Sequence, residues 1–289
     1  MKPYRIPELA KKYVEYDMIQ SHTELPAFPD SRTRLLFVFL ANQQESSPHS
    51  ELYALVTSLV QLGMDTHDTI DSDSGRLNEK EMRSRQLKVL AGDYFSSRFI
   101  QLLAHAGQID MIRRISQGVC EVNRLKVNLY MRMKQFKINA EEYWNQCMQV
   151  KIELFQVFTG ILDDKAARFW NELLEGVGRC EVALEELDKS KQPEQFVGSW
   201  GYWHILDVGT EEEKYQLDLP QPEPTFIKAL VDKYDIIQRL HEKLKTSAQQ
   251  IQAVAARLES DKLAQEILAI GESFMRPLAP ASPAMGERR

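Results

Sequence analysis

The chain has 289 residues, 43% of them apolar, with 36 Lys and Arg against 42 Asp and Glu and a net charge of −6. That acidic balance argues against a nucleic-acid binder or a basic patch that docks on anionic lipid. The length suits one large helical domain or two small ones. With only 13 Gly and 12 Pro, the composition favours a mostly helical globular protein.

The first residues, MKPYRIPELAKKYVEYDM, carry charges throughout and lack a signal-peptide core. Residues 8–20 then predict a short amphipathic helix, ended by ELPAFPDS. Leu35–Ala41 opens a buried helix and is the longest apolar run, far too short to span a bilayer. A soluble, cytoplasmic protein is expected. After the loop NQQESSPHS, a helix runs from Glu51 to about Asp71, with Leu52, Leu55, Leu59, Val60 and Leu62 at helical spacing. The polar DSDSGRLNEKE reads as a loop.

Helices follow over residues 84–106, Ile109–Met133, Ala140–Thr159 and Ala166–Asp188. The stretch from Lys189 to Lys214 changes character, with Phe196, Trp200, Tyr202 and Trp203 close together and no helical period. It reads as an irregular connection, followed by the Pro-rich LPQPEP. Thr225 is placed to cap a helix to about Lys245, with another over Thr246–Met275. The ending RPLAPASPAMGERR has a disordered composition. The expected organisation is a helical bundle over 1–190, a connection over 191–224, a helical pair over 225–276 and a disordered tail over 277–289. The fold class is all-α, a bundle of roughly ten helices.

Cys120, Cys147 and Cys180 are odd in number and far apart, without a C-x-x-C pair. They read as buried free thiols and not as a zinc site or disulfide framework. The chain has no G-x-S-x-G, H-E-x-x-H, Walker or G-x-G-x-x-G signature. Gly198–His204, GSWGYWH, reads as an aromatic patch closing a groove or meeting a partner, with a ligand-stacking platform as the weaker alternative.

RQLKVLAGDYFSSR, residues 85–98, places the small residues Ala91, Gly92, Ser96 and Ser97 in one helix. A helix-interior Gly costs about 1 kcal/mol relative to Ala, which points to another backbone passing close by. This stretch follows the aspartate-bearing helix of MDTHDTIDSD, residues 64–73, by about twenty residues. With Arg124-Leu125-Lys126 further on, the pattern resembles the trans-prenyl diphosphate synthases. The resemblance covers most of the first 190 residues. It looks most like the first component of the two-component heptaprenyl diphosphate synthases. It implies the all-α isoprenoid synthase fold.

The departures from that family carry most of the functional information. Active members hold Mg²⁺ with Asp-Asp-x-x-Asp on one helix, because Mg²⁺ needs hard oxygen ligands in near-octahedral array. Carboxylates at i and i+4 share a face. The matching stretch here is Asp68-Thr69-Ile70-Asp71-Ser72. Asp68 keeps the first place, while Thr69 and Ser72 replace two aspartates. Asp65, Asp68 and Asp71 fan around the helix by about 60° per step instead of forming a clamp.

The second aspartate motif matches Cys180–Asp188. Leu184 stands where the first aspartate belongs, and Glu185 and Glu186 read as a solvated face near Asp188. The Gly-Lys-Arg-x-Arg-Pro element that holds the homoallylic diphosphate keeps Arg32 and Arg34. Ser31 replaces its lysine and Leu35 its proline. Gln61 stands where active members often have His. Lys151 survives from a Lys-Thr-x-x-Leu-Phe element whose threonine is Ile152.

Ligand loss in all four elements implies no catalytic residue and no metal or other cofactor bound by this chain, with one weakly held Mg²⁺ at Asp68 and Asp71 as the lesser alternative. The resemblance implies a catalytic prenyl diphosphate synthase partner, component II, carrying Mg²⁺. That partner would condense farnesyl diphosphate with four isopentenyl diphosphates for the menaquinone-7 side chain. Tyr94, Phe99, Trp144, Met148 and Phe155 are the candidate tunnel or interface residues. The competing readings are an independently active prenyltransferase or terpene synthase with atypical ligands, and a helical adaptor with no isoprenoid role.

Overall fold

The computed structural model describes residues 3–70 and 78–276. Among them are fourteen α-helices, two 3-10 turns and no strand. In chain order these are α1 (Ile6–Val14), α2 (Asp17–His22), α3 (Asp30–Ala41), α4 (Ser50–Asp68), α5 (Glu79–His105), α6 (Ile109–Lys134) and α7 (Ala140–Gln156). They continue with α8 (Asp164–Lys191), α9 (Pro193–Phe196), α10 (Trp200–Val208), α11 (Glu211–Leu217), α12 (Pro224–Lys233), α13 (Ile236–Ala255) and α14 (Asp261–Met275). The all-α expectation holds. The chain forms two compact units, Met1–Met131 with Gln149–Glu175, and Arg132–Met148 with Gly176–Arg289. The division falls inside α6, α7 and α8, away from the composition changes near 190 and 224.

In the first unit, Leu35 to Leu40 of α3 are all at most 2% exposed. A helix apolar on every side must be surrounded, and α3 is a core helix. It packs against α4, which is buried without a break from Tyr53 to Met64. Buried hydroxyls on α4 are satisfied by the helix itself: Thr57, Ser58 and Thr66 donate to the carbonyls of Tyr53, Leu55 and Leu62 at 2.7, 2.8 and 2.6 Å. α5 is one-sided, burying only Ala91, Gly92, Phe95, Phe99 and Leu103. Asn78 starts it with a capping box, in which its side chain accepts from Glu81 N and its own N–H donates to Glu81, both at 2.9 Å.

The second unit is built on the packing of α13 against α14 and on the aromatic helix α10. The stretch from Lys189 to Lys214, expected to be irregular, instead forms the end of α8, then α9, α10 and the start of α11. Two local signals make it helical. Ser199 accepts from Tyr202 N at 3.3 Å at the start of α10, and Thr210 forms a capping box with Glu213 at the start of α11. The absence of an amphipathic period reflects burial, since Trp200, Tyr202 and Trp203 are each at most 4% exposed. GSWGYWH is therefore an internal element, not a surface patch.

Other boundaries move for identifiable reasons. Residues 8–20 form two helices, because Tyr16 is extended at φ −112° and ψ 128°. Pro224 takes the first turn of α12, and Thr225 lies inside it instead of capping it. Asp235, left-handed at φ 51°, separates α12 from α13. Ser260 caps α14 by accepting from Leu263 N at 3.3 Å. These splits raise the helix count above ten. Cys180 is buried, but Cys120 is exposed, correcting the expectation of three buried thiols. The tail 277–289 lies outside the described residues.

Candidate functional site

The C-terminal end of α4 carries the residues that match the first aspartate motif. Asp68 is half-exposed, and its Oδ2 receives the Lys126 ammonium of α6 at 2.5 Å. Asp65 is engaged on the same helix, accepting from Gln61 Nε2 at 2.8 Å. Lys88 Nζ donates to the carbonyl of Thr69 at 3.0 Å, where the helix dipole favours a cation. Two protein ammonium groups thus meet the end of the helix where the family motif calls for metal. Asp71 and Ser72 lie outside the described residues. Among the described residues no three His, Cys, Asp or Glu groups converge for a metal ion. Asp65 and Asp68 as arranged do not fit a Mg²⁺ clamp.

The beginning of α3 carries the arginines of the homoallylic element. Arg32 is 2% exposed and donates to the carbonyl of Lys151, with its guanidinium carbon 5.1 Å from the centre of the Phe155 ring. Arg34 lies 5.8 Å from the ring of Tyr4, whose hydroxyl donates to Asp30 Oδ1 at 2.6 Å. Burial, and then the Asp30 carboxylate, pushes the Tyr4 phenol well above its ordinary range. Ser31 is half-buried at the start of the same helix. Gln61 is buried on α4, its Nε2 donating to Asp65 and its Oε1 without a hydrogen-bond partner.

In the second unit, Leu184 is half-buried, and Glu185 and Asp188 are exposed. Glu186 corrects the expectation of a solvated face: it is 1% exposed. It accepts from Tyr143 Oη at 3.0 Å, Lys189 Nζ at 2.8 Å and the backbone N of Trp200 at 2.5 Å. A buried carboxylate needs such partners, and this one fixes the start of α10. Burial pulls the Lys189 ammonium pKa down, but the adjacent Glu186 more than offsets it, and the net shift is upward. Burial also pushes the Cys147 thiol up to about 12.

The helices α4 and α5 pass close to each other at two glycines. A Cβ on Gly63 would sit 2.7 Å from the Gly92 carbonyl and 2.9 Å from Ser96 N. One on Gly92 would sit 2.2 Å from His67 Cδ2 and 3.0 Å from the Gly63 carbonyl. The close approach at Gly92, Ala91 and Ser96 is thus internal to the chain. Ser97 is exposed on the outer side. Gly63 was not singled out in the sequence, although it stands near Gln61 in the helix that meets Gly92. Lys126 was likewise visible only as part of Arg124-Leu125-Lys126.

Beside this contact is a cavity of about 420 Å³ between α4, α5 and α6. Val60, Met64, Phe99, Ile100 and Val119 give it apolar walls, and Asp68 and Lys126 line it too. Of the five tunnel or interface candidates, Phe99 lines this cavity. Tyr94 is half-buried, its hydroxyl bonded to that of Tyr16 and to Arg98, each at 2.5 Å. Phe155 is fully buried under Arg32, and Trp144 and Met148 are buried in the second unit, Trp144 with the Lys243 ammonium 4.6 Å from its ring centre.

The sequence model of the family described as heptaprenyl diphosphate synthase (HEPPP synthase) subunit 1 matches residues 16–179, more than half of the chain. The chain belongs to that family. A relative, heptaprenyl diphosphate synthase component 1 of Geobacillus stearothermophilus, is 38% identical over 81 residues. That match covers 28% of this chain and 34% of the relative, about a third of its length.

The fold is that of the polyprenyl synthases. A polyprenyl synthase from Caulobacter crescentus CB15 superposes with a TM-score of 0.70 at 13% identity, over 93% of this chain and 92% of that one. A decaprenyl diphosphate synthase from Rhodobacter capsulatus gives 0.68 at 13% identity over 95% of both chains. A heptaprenyl diphosphate synthase from Staphylococcus aureus gives 0.61 at 14% identity over 94% and 98%. Among the described residues no helix is long and apolar enough to cross a membrane.

Proposed function

We propose that this chain is the non-catalytic subunit of a two-component heptaprenyl diphosphate synthase. The observation that carries the reading is the Lys126 ammonium on Asp68, the position matching the first metal-binding aspartate. A carboxylate in an ion pair with a protein cation gives up the charge that a divalent metal would need. Arg32, turned inward to Lys151 and Phe155, points the same way for the homoallylic diphosphate. Stabilising the leaving diphosphate is the main catalytic task in this chemistry, and a chain without those contacts does not perform it alone.

The partner is a prenyl diphosphate synthase with intact aspartate motifs and its own Mg²⁺. It condenses farnesyl diphosphate with four isopentenyl diphosphates, and the C35 product supplies the menaquinone-7 side chain. This chain completes the assembly and helps to set product length. A longer product is favoured by dry apolar wall, at about 0.8 kcal/mol per buried CH₂. The test is prenyl transfer from radiolabelled isopentenyl diphosphate, with farnesyl diphosphate and Mg²⁺. The purified chain alone should give no long-chain product, and adding the synthase chain from the same organism should restore it. Long-chain product from this chain free of partner would refute the reading in favour of an independent prenyltransferase. Failure to bind or activate any synthase chain would favour an unrelated adaptor.

A further inference from the structure

The net charge of −6, which argues against a lipid-docking patch for the chain as a whole, averages away a local run. Residues 122–140, the second half of α6 and the turn into α7, hold five Lys and Arg and no Asp or Glu. In the second unit this run comprises Arg132, Lys134 and Lys137, and Lys134, Gln135, Phe136 and Lys137 are all exposed. The two acids that follow are engaged, Glu142 with Arg132 and Glu141 with Lys243, each at 2.7 Å.

The turn itself carries a residue that its backbone does not favour. Lys137 N donates to the Arg132 carbonyl at 2.9 Å and Phe136 N to the Met133 carbonyl at 3.0 Å, the two bonds of a Schellman cap. Its left-handed position is ordinarily Gly, because a side chain there is strained. Here it is Phe136, at φ 52° and 57% exposed. Inside the chain its ring meets Trp203 in a T-shaped contact with centroids 6.0 Å apart. Gly or Asn would close the turn at lower cost, so the cap does not account for an exposed phenylalanine between two lysines.

A second apolar residue protrudes beside it. Trp203 Nε1 donates to the Gly198 carbonyl at 3.2 Å, and a Cβ on Gly198 would sit 3.5 Å from Met133 Cε. Val197, the neighbour of Gly198, is 52% exposed. The two turns thus meet at Trp203 and Met133 and leave Phe136 and Val197 outside. Two side chains are too few for a stable protein interface, which takes roughly 800 Å² per partner. An aromatic ring between ammonium groups on flexible stems fits a bilayer surface. The ring enters the boundary between headgroups and acyl chains, and the ammonium groups meet anionic phosphates.

We propose that the turn between α6 and α7, with Phe136 at its tip and Lys134 and Lys137 beside it, docks the chain on an anionic lipid bilayer. The contact is peripheral and reversible, since so small an apolar tip neither spans nor anchors. The proposal does not rest on the subunit reading. That reading gives it a use, because a C35 prenyl diphosphate is an amphiphile whose chain leaves water for a bilayer.

The test is sedimentation of the full chain, without any synthase, with two kinds of vesicle: phosphatidylcholine alone, and two parts phosphatidylcholine to one part phosphatidylglycerol. Wild type should bind the anionic vesicles and be released by salt. Lys134→Ala with Lys137→Ala should weaken that binding about tenfold. Phe136→Asn suits the left-handed turn, should melt at or above wild type, and should weaken binding about fivefold or more. Where it melts early, Phe136→Gly takes its place. Tyr215→Asn, at a position 71% exposed elsewhere in the unit, is the control and should bind as wild type does. A wild-type chain that does not bind the anionic vesicles, or binds both kinds equally, overturns the proposal. Binding by the folded variants within about twofold of wild type overturns it too. Loss of synthase binding in those variants, with vesicle binding unchanged, assigns the turn to a protein contact and has the same consequence.

Discussion

Replacing Gly63 by Ala tests the packing that positions the candidate site. The new Cβ would lie 2.7 Å from the Gly92 carbonyl and 2.9 Å from the Ser96 amide nitrogen, both backbone atoms of α5. Neither atom swings aside as a side-chain tip does, so α4 and α5 must separate. Overpacking of this kind costs about 1–3 kcal/mol. Ala in a helix interior returns up to about 1 kcal/mol over Gly. With the full return set against it, the net loss is up to about 2 kcal/mol, lowering the melting temperature by up to about 8 °C for a chain of this size.

Gly92→Ala is the informative comparison. Its nearest conflict is the imidazole of His67, 38% exposed and able to rotate outward, although the Gly63 carbonyl at 3.0 Å remains tight. It should cost less than Gly63→Ala, and Gly92→Leu more than either. Thermal unfolding followed by circular dichroism ranks the three. A Gly63→Ala protein that melts at or above wild type refutes the close-approach argument.

Asp68→Ala combined with Asp71→Ala should leave turnover of the assembled complex within a few fold of wild type. A thousandfold drop with the complex intact, about 4 kcal/mol of transition-state stabilisation, would place a working metal in this chain. Glu186→Ala leaves the Trp200 amide, the Tyr143 hydroxyl and the Lys189 ammonium without their shared acceptor. The expected loss is about 2–4 kcal/mol, read as a lowered denaturant midpoint. Glu185→Ala, at an exposed position, should stay within about 0.5 kcal/mol, and equal effects of the two substitutions would contradict the assigned geometry.

Sequence alone determined the helical class, because apolar residues at helical spacing recur along most of the chain and no useful strand alternation appears. It determined the central position of α3, since no partly exposed helix tolerates six successive apolar residues from Leu35 to Leu40. It also showed the departures at Ser31, Thr69 and Leu184, because the identity of a side chain fixes whether it can ligate. The helicity of Trp200–Val208 was hidden, since a short buried helix has no polar side and therefore no period to read.

Only the tertiary structure decided which groups meet. Asp68 and Lys126 are 58 residues apart, Arg32 and the Lys151 carbonyl 119. Glu186 looks in sequence like its exposed neighbour Glu185, because adjacent helical positions differ by about 100° in direction and the order of residues does not say which direction is inward. Helix packing fixes that direction. It turns Glu186 into the anchor of α10, leaves Glu185 exposed, and sets the Lys126 ammonium against Asp68.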